Sequence, residues 1–431
     1  MTMARRTALA ALGAATLSRP ALAQNKPARI SFVGTNAGRF HFTFVEEVAP
    51  VFERLHGIKV DFTLLPIDAL SAKLRAELSA GSDAIDIIEF NPGMAAWLSS
   101  HLEDHERLIA GAAGRNPDYD WADYTPSVKE LAQFDDRQIG IPYRVTVPIL
   151  IYQKSVLEAA GITRPPQNFA EFRAAAQAIT RAGAPDRYGV GFAGRQGSAM
   201  VSGFGPYLLS AGGNFMNIKS REVFINNAES VPALDFYAGL LVRDRVAAPE
   251  VTTWEFDEII ANGQNDRYAM VSTFAPYGTL MNDSALSRTA GRWSFALAPG
   301  ATDIQQSKVT LGGWMMGVSR HGKHKDWALE FIQLATNKEW LRRSMFRGNA
   351  APRQSVLNNP AIQAAFPWAP VSADALRSAE NLPQEPSWPA LEQRLRVGIS
   401  QSLLGQTTAK AALDAVAADW QRSLRRAGAA R

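Results

Sequence analysis

Cysteine is missing from all 431 residues of the chain. That excludes disulfides, zinc–thiolate sites, thiol nucleophiles and the lipid-bearing cysteine that tethers many exported proteins to a membrane. Long apolar runs are scarce too. The most sustained one, Ala8 to Leu17, falls well short of the roughly 20 residues that a spanning helix needs. Local signatures of hydrolytic catalysis, G-x-S-x-G and H-E-x-x-H, do not occur. Excess charge of one sign is lacking: 45 basic residues against 41 acidic ones leave +4, and residues 1–23 carry three of those positive charges with no acid, so the remainder stands at +1. A near-neutral body argues against nucleic acid or an anionic membrane surface as partner.

What is present begins at the N-terminus. Arg5 and Arg6 precede the apolar run, and Ala21, Leu22 and Ala23 follow it in an A-x-A-like cleavage pattern. Residues 1–23 are therefore expected to be an export signal. The paired arginines suggest the twin-arginine route, although Ala8 and Ala10 stand where that motif has Phe and Lys, and the general secretory route stays open. With no cysteine for a lipid anchor, a free periplasmic protein is expected. At about 150 residues per domain, the rest of the chain suggests two or three domains.

The pattern after Arg29 alternates strand and helix. Strands are predicted at Arg29–Val33, Ile58–Leu65 and Ala84–Phe90, with helices at His41–Leu55 (Phe44, Val48, Val51, Phe52 and Leu55 inward) and Asp68–Leu78. This β-α-β-α-β order argues for a parallel sheet covered by helices, with ligands bound beyond the carboxyl ends of the strands. A second alternation runs from Tyr143 to about residue 300, with helices predicted at Val201–Ala211 and Val231–Arg243 and a strand at Tyr268–Thr273. Two C-terminal helices between Leu391 and Leu424 carry Leu413, Val416, Ala417 and Trp420 at helical spacing and read as packing helices.

Residues Gly140 to Thr180 join the two alternations. A buried strand leads into a short helix ending at Gly161; after Pro165 and Pro166, a second helix opens under an Asn168 cap with Phe169, Phe172, Ala176 and Ile179 on one face. Gly140, Pro142, Leu150, Tyr152, Lys154, Gly161, Pro166 and Glu171 resemble the first interdomain crossing of family 1 extracellular solute-binding proteins. Gln153, Ser155 and Phe169 depart from the usual Asn, Asp and Trp. Lys308–Val318 and Phe346–Leu357 resemble the later crossings. The stretch LGGWMMGV, with Trp327, Phe331 and the segment NLPQEPSWPALEQRLRVGISQSLLGQTTAKAAL, looks most like the branch that binds polyols.

The resemblance implies an α/β, two-lobed periplasmic binding protein fold (type II-like) with a ligand cleft between the lobes. Residues 24–143 and 301–346 would form the N-terminal lobe, and 144–300 and 347–431 the C-terminal lobe. It further implies a monomer that captures a sugar or sugar alcohol, needs no cofactor or metal, catalyses no reaction, and meets the membrane subunits of an ABC importer transiently.

Candidate ligand-binding residues sit at strand ends and crossings, where amides and charged groups can bond hydroxyls and rings can stack on C–H faces. In the first lobe these are Asn36, Arg39, Glu89 and Asn91. Arg144 and Thr146 stand at the first crossing, either as site groups or as a buried structural pair. Phe204, Trp254, Thr273 and Tyr277 belong to the second lobe as wall or as core. Gly313 and Trp314 resemble the family's exposed backbone amides with an aromatic wall, and Arg353 reads as a cleft residue or a hinge ion pair.

Other motifs weigh less. Gly189, Gly191 and Gly194 satisfy G-x-G-x-x-G but lack the following acid, so a glycine-rich loop is preferred to a nucleotide site. Gly317–His324 misses the Walker hydroxyl because His324 replaces it. His101 and His105 have an i, i+4 spacing suited to a metal, yet no third ligand is nearby, and a solvated segment is the preferred reading. Two alternatives stay open: an exported carbohydrate-active enzyme using carboxylates such as Glu89, Asp257 and Glu258, and a binder of phosphodiester, peptide or opine-like solutes through Arg39, Arg144 and Arg353.

Overall fold

The computed structural model describes residues 26–36, 41, 43–112 and 116–429. The expected export signal and Arg39 lie outside them.

In the first lobe, β1 (Arg29–Thr35), β2 (Lys59–Leu65) and β3 (Ile87–Phe90) alternate with helices at Ala49–His56 and Ile67–Ser79. β1 lies between the other two and parallel to both. β3 is buried along its whole length, as a strand covered on two faces must be. A hairpin, β4 (Gln133–Phe134) and β5 (Arg137–Gln138), precedes β6 (Ile141–Thr146). The second lobe is built on β7 (Pro148–Gln153), β8 (Tyr188–Val190), β9 (Tyr268–Phe274) and β10 (Trp293–Ala296), in the order β10-β7-β9-β8. β11 (Val309–Val318) returns to the first sheet, antiparallel to β3 and β6, and β12 (Ala379–Asn381) pairs with its first three residues. The first sheet is therefore mixed, and only β1, β2 and β3 form the parallel core that the alternation predicts.

The expected first crossing is a single run of extended chain. β6 belongs to the first sheet and β7 to the second, with Val147 alone between them. The Asn168 side chain caps helix Phe169–Gly183 by accepting from the Glu171 amide at 2.9 Å, and Phe172, Ala176 and Ile179 are buried beneath it. Leu55 departs from expectation at 63% exposed. The inward stripe is Phe44, Val48 and Phe52, and Leu55 instead borders a surface groove with Asn116 and Leu334.

The C-terminal helices Trp388–Leu403 and Ala409–Ala429 pack on helices Ser198–Ser210 and Ser230–Val242 of the second lobe. Trp420 anchors them, fully buried, its indole N–H donating to the Leu391 carbonyl at 2.7 Å. The segment before them, expected in the second lobe from residue 347, touches both lobes: Trp368 donates to Thr279 Oγ1 at 2.8 Å and Arg221 pairs with Glu385 on the second-lobe side, and the first lobe is engaged as well. Ser355 bonds Asp123, Ser127 donates to the Leu376 carbonyl, and Gln384 donates to the carbonyls of Glu130 and Leu131.

Candidate functional site

Strand direction decides which residues can meet. β1 and β3 run parallel, and β6, antiparallel to β11 as β3 is, runs with them. Thr35 and Asn36, Asn91, and Arg144 with Thr146 therefore gather at one edge of the first sheet. β11 enters at that edge, pairing Gly312 with Thr146 and Trp314 with Arg144. In the second lobe β9 is antiparallel to β7, so Phe274 lies opposite Pro148, one residue beyond the crossing. Thr273 and Tyr277 consequently face the same gap from the other side. The cleft is the meeting of two sets of strand ends across Val147.

Beneath its floor lies a polar knot. Glu89 on β3 is 1% exposed, its Oε2 accepting from the Thr35 amide at 2.8 Å and its Oε1 from the Tyr143 hydroxyl. Burial pushes its carboxyl up to about 7, against the pull of Tyr143, Thr35 and the Arg144 guanidinium. Arg144, itself lowered mainly by burial, also feels Tyr277 across the cleft. The Tyr277 hydroxyl is pushed up to about 12 by burial, opposed by Arg144 and assisted by the Asp257 carboxylate. Residues of the two lobes thus share one electrostatic neighbourhood.

The second-lobe wall is aromatic. Phe256, Phe274 and Tyr277 form a triangle with ring centroids 5.2 to 5.8 Å apart, each ring partly exposed. Phe256 and Phe274 also border a recess shared with Ser202, Ser272 and Thr273. Partly open rings beside hydroxyls can stack on the C–H faces of a polyhydroxylated solute.

Residues 42–341 match the family described as bacterial extracellular solute-binding protein. The chain belongs to this family. This solute-binding protein is 25% identical to the mannitol-binding protein of Pseudomonas aeruginosa over 97% of its own length and 98% of the relative's. It is 25% identical to the erythritol/L-threitol-binding protein of Mycolicibacterium smegmatis, covering 71% of the chain and 67% of that relative. Among solved structures, the sugar-binding protein MalE from Xanthomonas citri superposes with a TM-score of 0.78 at 22% identity, covering 92% of this chain and 98% of the other. A solute-binding protein from Agrobacterium radiobacter in complex with ribitol gives 0.75 at 20% identity, over 92% and 99%. Both superpositions show the two-lobed α/β fold that the resemblance implied.

In this solute-binding protein Asn36, Asn91, Arg144, Thr146, Gly313, Trp314, Thr273 and Tyr277 stand at or next to the strand ends and the crossing, Thr273 and Trp314 largely buried there, while others are withdrawn into the core. Phe204 is fully buried, packed on Tyr237 with centroids 5.8 Å apart, and Trp254 is 3% exposed against Tyr268; both are core. Arg353 is fully buried and turned into the first lobe. Its guanidinium donates to the carbonyls of Thr336, Asp120 and Tyr119 at 2.9, 2.7 and 2.8 Å, and it sits between the Tyr119 and Tyr124 rings. Glu89 lies under the floor, where it cannot touch a solute directly. Gly313 has a packing reason to lack a side chain: a Cβ would stand 2.5 Å from Leu131 Cδ2 and 2.6 Å from the Arg144 carbonyl oxygen. The sequence reasoning missed Phe256 and Phe274, although Phe274 directly follows the candidate Thr273 at a strand end.

The remaining motifs are structural. A Cβ at Gly189 would meet the Ala176 backbone at 2.2 Å, and those at Gly191 and Gly194 would strike Tyr268 and Val251. His105, expected on a solvated segment, is fully buried: Nε2 accepts from the Val318 amide at 3.2 Å and Nδ1 donates to the Glu103 carbonyl at 3.3 Å. His101 meets His321 instead, ring nitrogens 3.0 Å apart. Glu258 is committed to the cap of helix Phe256–Gln264, accepting from the Glu255 amide at 2.9 Å. Among the described residues, no group of three or more histidines and carboxylates could hold a metal, and no helix is long and apolar enough to cross a membrane.

Proposed function

We propose that this protein captures a neutral polyhydroxylated solute, a sugar alcohol or small sugar, by closing its lobes, and delivers it as a monomer to the membrane subunits of an ABC importer. Export to the periplasm, by the twin-arginine or the general secretory route, and capture with no bond made or broken, belong to the same reading. The observation that carries it is the composition of the cleft: amide side chains, a partly open aromatic triangle, and a cation, Arg144, offset by Glu89 beneath it. Such a lining suits hydroxyls and C–H faces better than an anion, and Arg353 is spent elsewhere. The polyol ligands in the names of the mannitol-binding and erythritol/L-threitol-binding relatives point the same way.

A thermal-shift and calorimetric panel of mannitol, ribitol, erythritol, glucose, maltose and glycerol 3-phosphate tests the reading. A true solute at a hundred times its Kd stabilises the fold by about 2.7 kcal/mol. Saturable binding of a polyol or sugar, with recovery of the unaltered compound, is expected. Binding of the phosphorylated compound alone, or turnover of an oligosaccharide, would overturn it.

A further inference from the structure

We infer that Glu89 is a positioning residue, whose buried carboxylate ties the end of β1 to β6 and sets the Arg144 guanidinium for the incoming solute. The inference rests on the proposed capture of a neutral solute and assigns a role to a group that itself touches none. Three strands of the first sheet converge on this side chain. It is carried by β3, it receives the Thr35 amide of β1 at 2.8 Å, and it receives the Tyr143 hydroxyl of β6. Gly34 makes the approach feasible, since a Cβ there would lie 2.1 Å from Glu89 Oε2.

Next along β6 is Arg144, which feels Glu89 from below and Tyr277 from the opposite lobe. A guanidinium mostly buried beside the crossing needs a counter-charge to hold it in one place. Glu89 supplies that charge within the first lobe, and Tyr277 faces Arg144 from the second.

The titratable groups facing Glu89 are Tyr143 and Arg144 from β6. The β1 contact is an amide, the residue paired with Glu89 on β11 is Met316, and beyond Arg144 stand Tyr277 and Asp257. With its carboxyl pushed up to about 7, Glu89 changes charge in the neutral range. Protonation removes the counter-charge of Arg144 while leaving the packing intact. Solute affinity should therefore be weaker below that midpoint than above it.

The test is calorimetric titration of the full chain with mannitol and ribitol between pH 5.5 and 8.5, in wild type and Glu89→Gln. Wild-type affinity should rise about threefold to tenfold across the range, the latter equal to a one-unit shift of the carboxyl on binding. Glu89→Gln, which preserves shape, should bind weakly and with no pH dependence. Equal affinity and an equal pH profile in the two proteins would overturn the assignment. A ligand-free arm separates this inference from the functional reading and covers a Glu89→Gln that fails to fold: carboxyl carbon NMR of wild type and Arg144→Gln. A Glu89 midpoint that moves up when Arg144 is neutralised supports the pairing; an unmoved midpoint overturns it, even if no polyol binds wild type.

Discussion

Replacing Arg353 by methionine should cost the protein much of its stability and leave solute affinity nearly unchanged. The guanidinium is fully buried and satisfies three main-chain carbonyls, those of Tyr119, Asp120 and Thr336, at 2.7 to 2.9 Å. Its carbon lies 4.8 and 4.5 Å from the centroids of the Tyr119 and Tyr124 rings, and Asp123 is 3.6 Å away. A hydrogen bond from a charged donor contributes about 1.5–3 kcal/mol, and a desolvated cation–π contact about 2. These terms do not add in full, because water can reach some of the abandoned carbonyls, so we expect a loss of about 4 kcal/mol. That is a large share of the 5–15 kcal/mol typical of a folded protein. Arg353→Lys should recover less than half, since an ammonium cannot present the planar fork that reaches three oxygens. Urea denaturation followed by tryptophan fluorescence measures both, with calorimetry for mannitol alongside. An Arg353→Met protein as stable as wild type but deficient in binding would refute the argument and return this arginine to the cleft.

Two buried groups should shape the pH dependence of stability in opposite directions. His105 is depressed to about 4, chiefly by burial, so the unfolded chain takes its proton first and stability falls by about 3 kcal/mol as pH drops from 6.5 to 4. Glu89, raised to about 7, works the other way: its contribution is complete below pH 4.5 and declines by about 3 kcal/mol as pH rises to 7. Wild type should thus be nearly flat between pH 4.5 and 6.5. Denaturation of His105→Gln should reveal the falling limb and of Glu89→Gln the rising one; the same profile in all three proteins would contradict both assignments. Gly313→Ala should destabilise by about 1–3 kcal/mol through overpacking against Leu131 and the β6 backbone, measured by the same denaturation.

How much of this was legible in the sequence depended on whether a local pattern had one physical outcome. The Asn168 cap and the apolar face of its helix followed from spacing and cap chemistry, which leave the backbone little choice, whereas the crossing came from the family resemblance, which set the lobe boundary at residues 143 and 144, a few residues before Val147. The alternation of strand and helix likewise placed Asn36 and Asn91 at strand ends on one sheet edge; Arg144 came from the resemblance at the crossing. Phe204, Trp254 and Arg353 were not decidable in that way, because a large side chain near a strand end or crossing can turn toward solvent or toward the core with the same local sequence. His105 shows a different limit. Its i, i+4 relation to His101 implied one helical face, but His101 ends a 3-10 turn and the α-helix starts at His105, so the two rings never share a face. Gly313 followed a third route: a family likeness suggested an exposed amide, while the neighbouring strand supplies a steric demand that no single-strand pattern contains.

The passage from β6 to β7 through one residue has a mechanical consequence. Two sheets cut from one ribbon cannot slide or drift apart there; at that seam, reorientation is confined to the torsions around Val147. A twist at that seam has its pivot beside Arg144, Thr146 and Pro148, so the deepest part of the mouth would move least while its rim sweeps furthest. A guest seated at the pivot would meet nearly the same walls before and after the jaws shut.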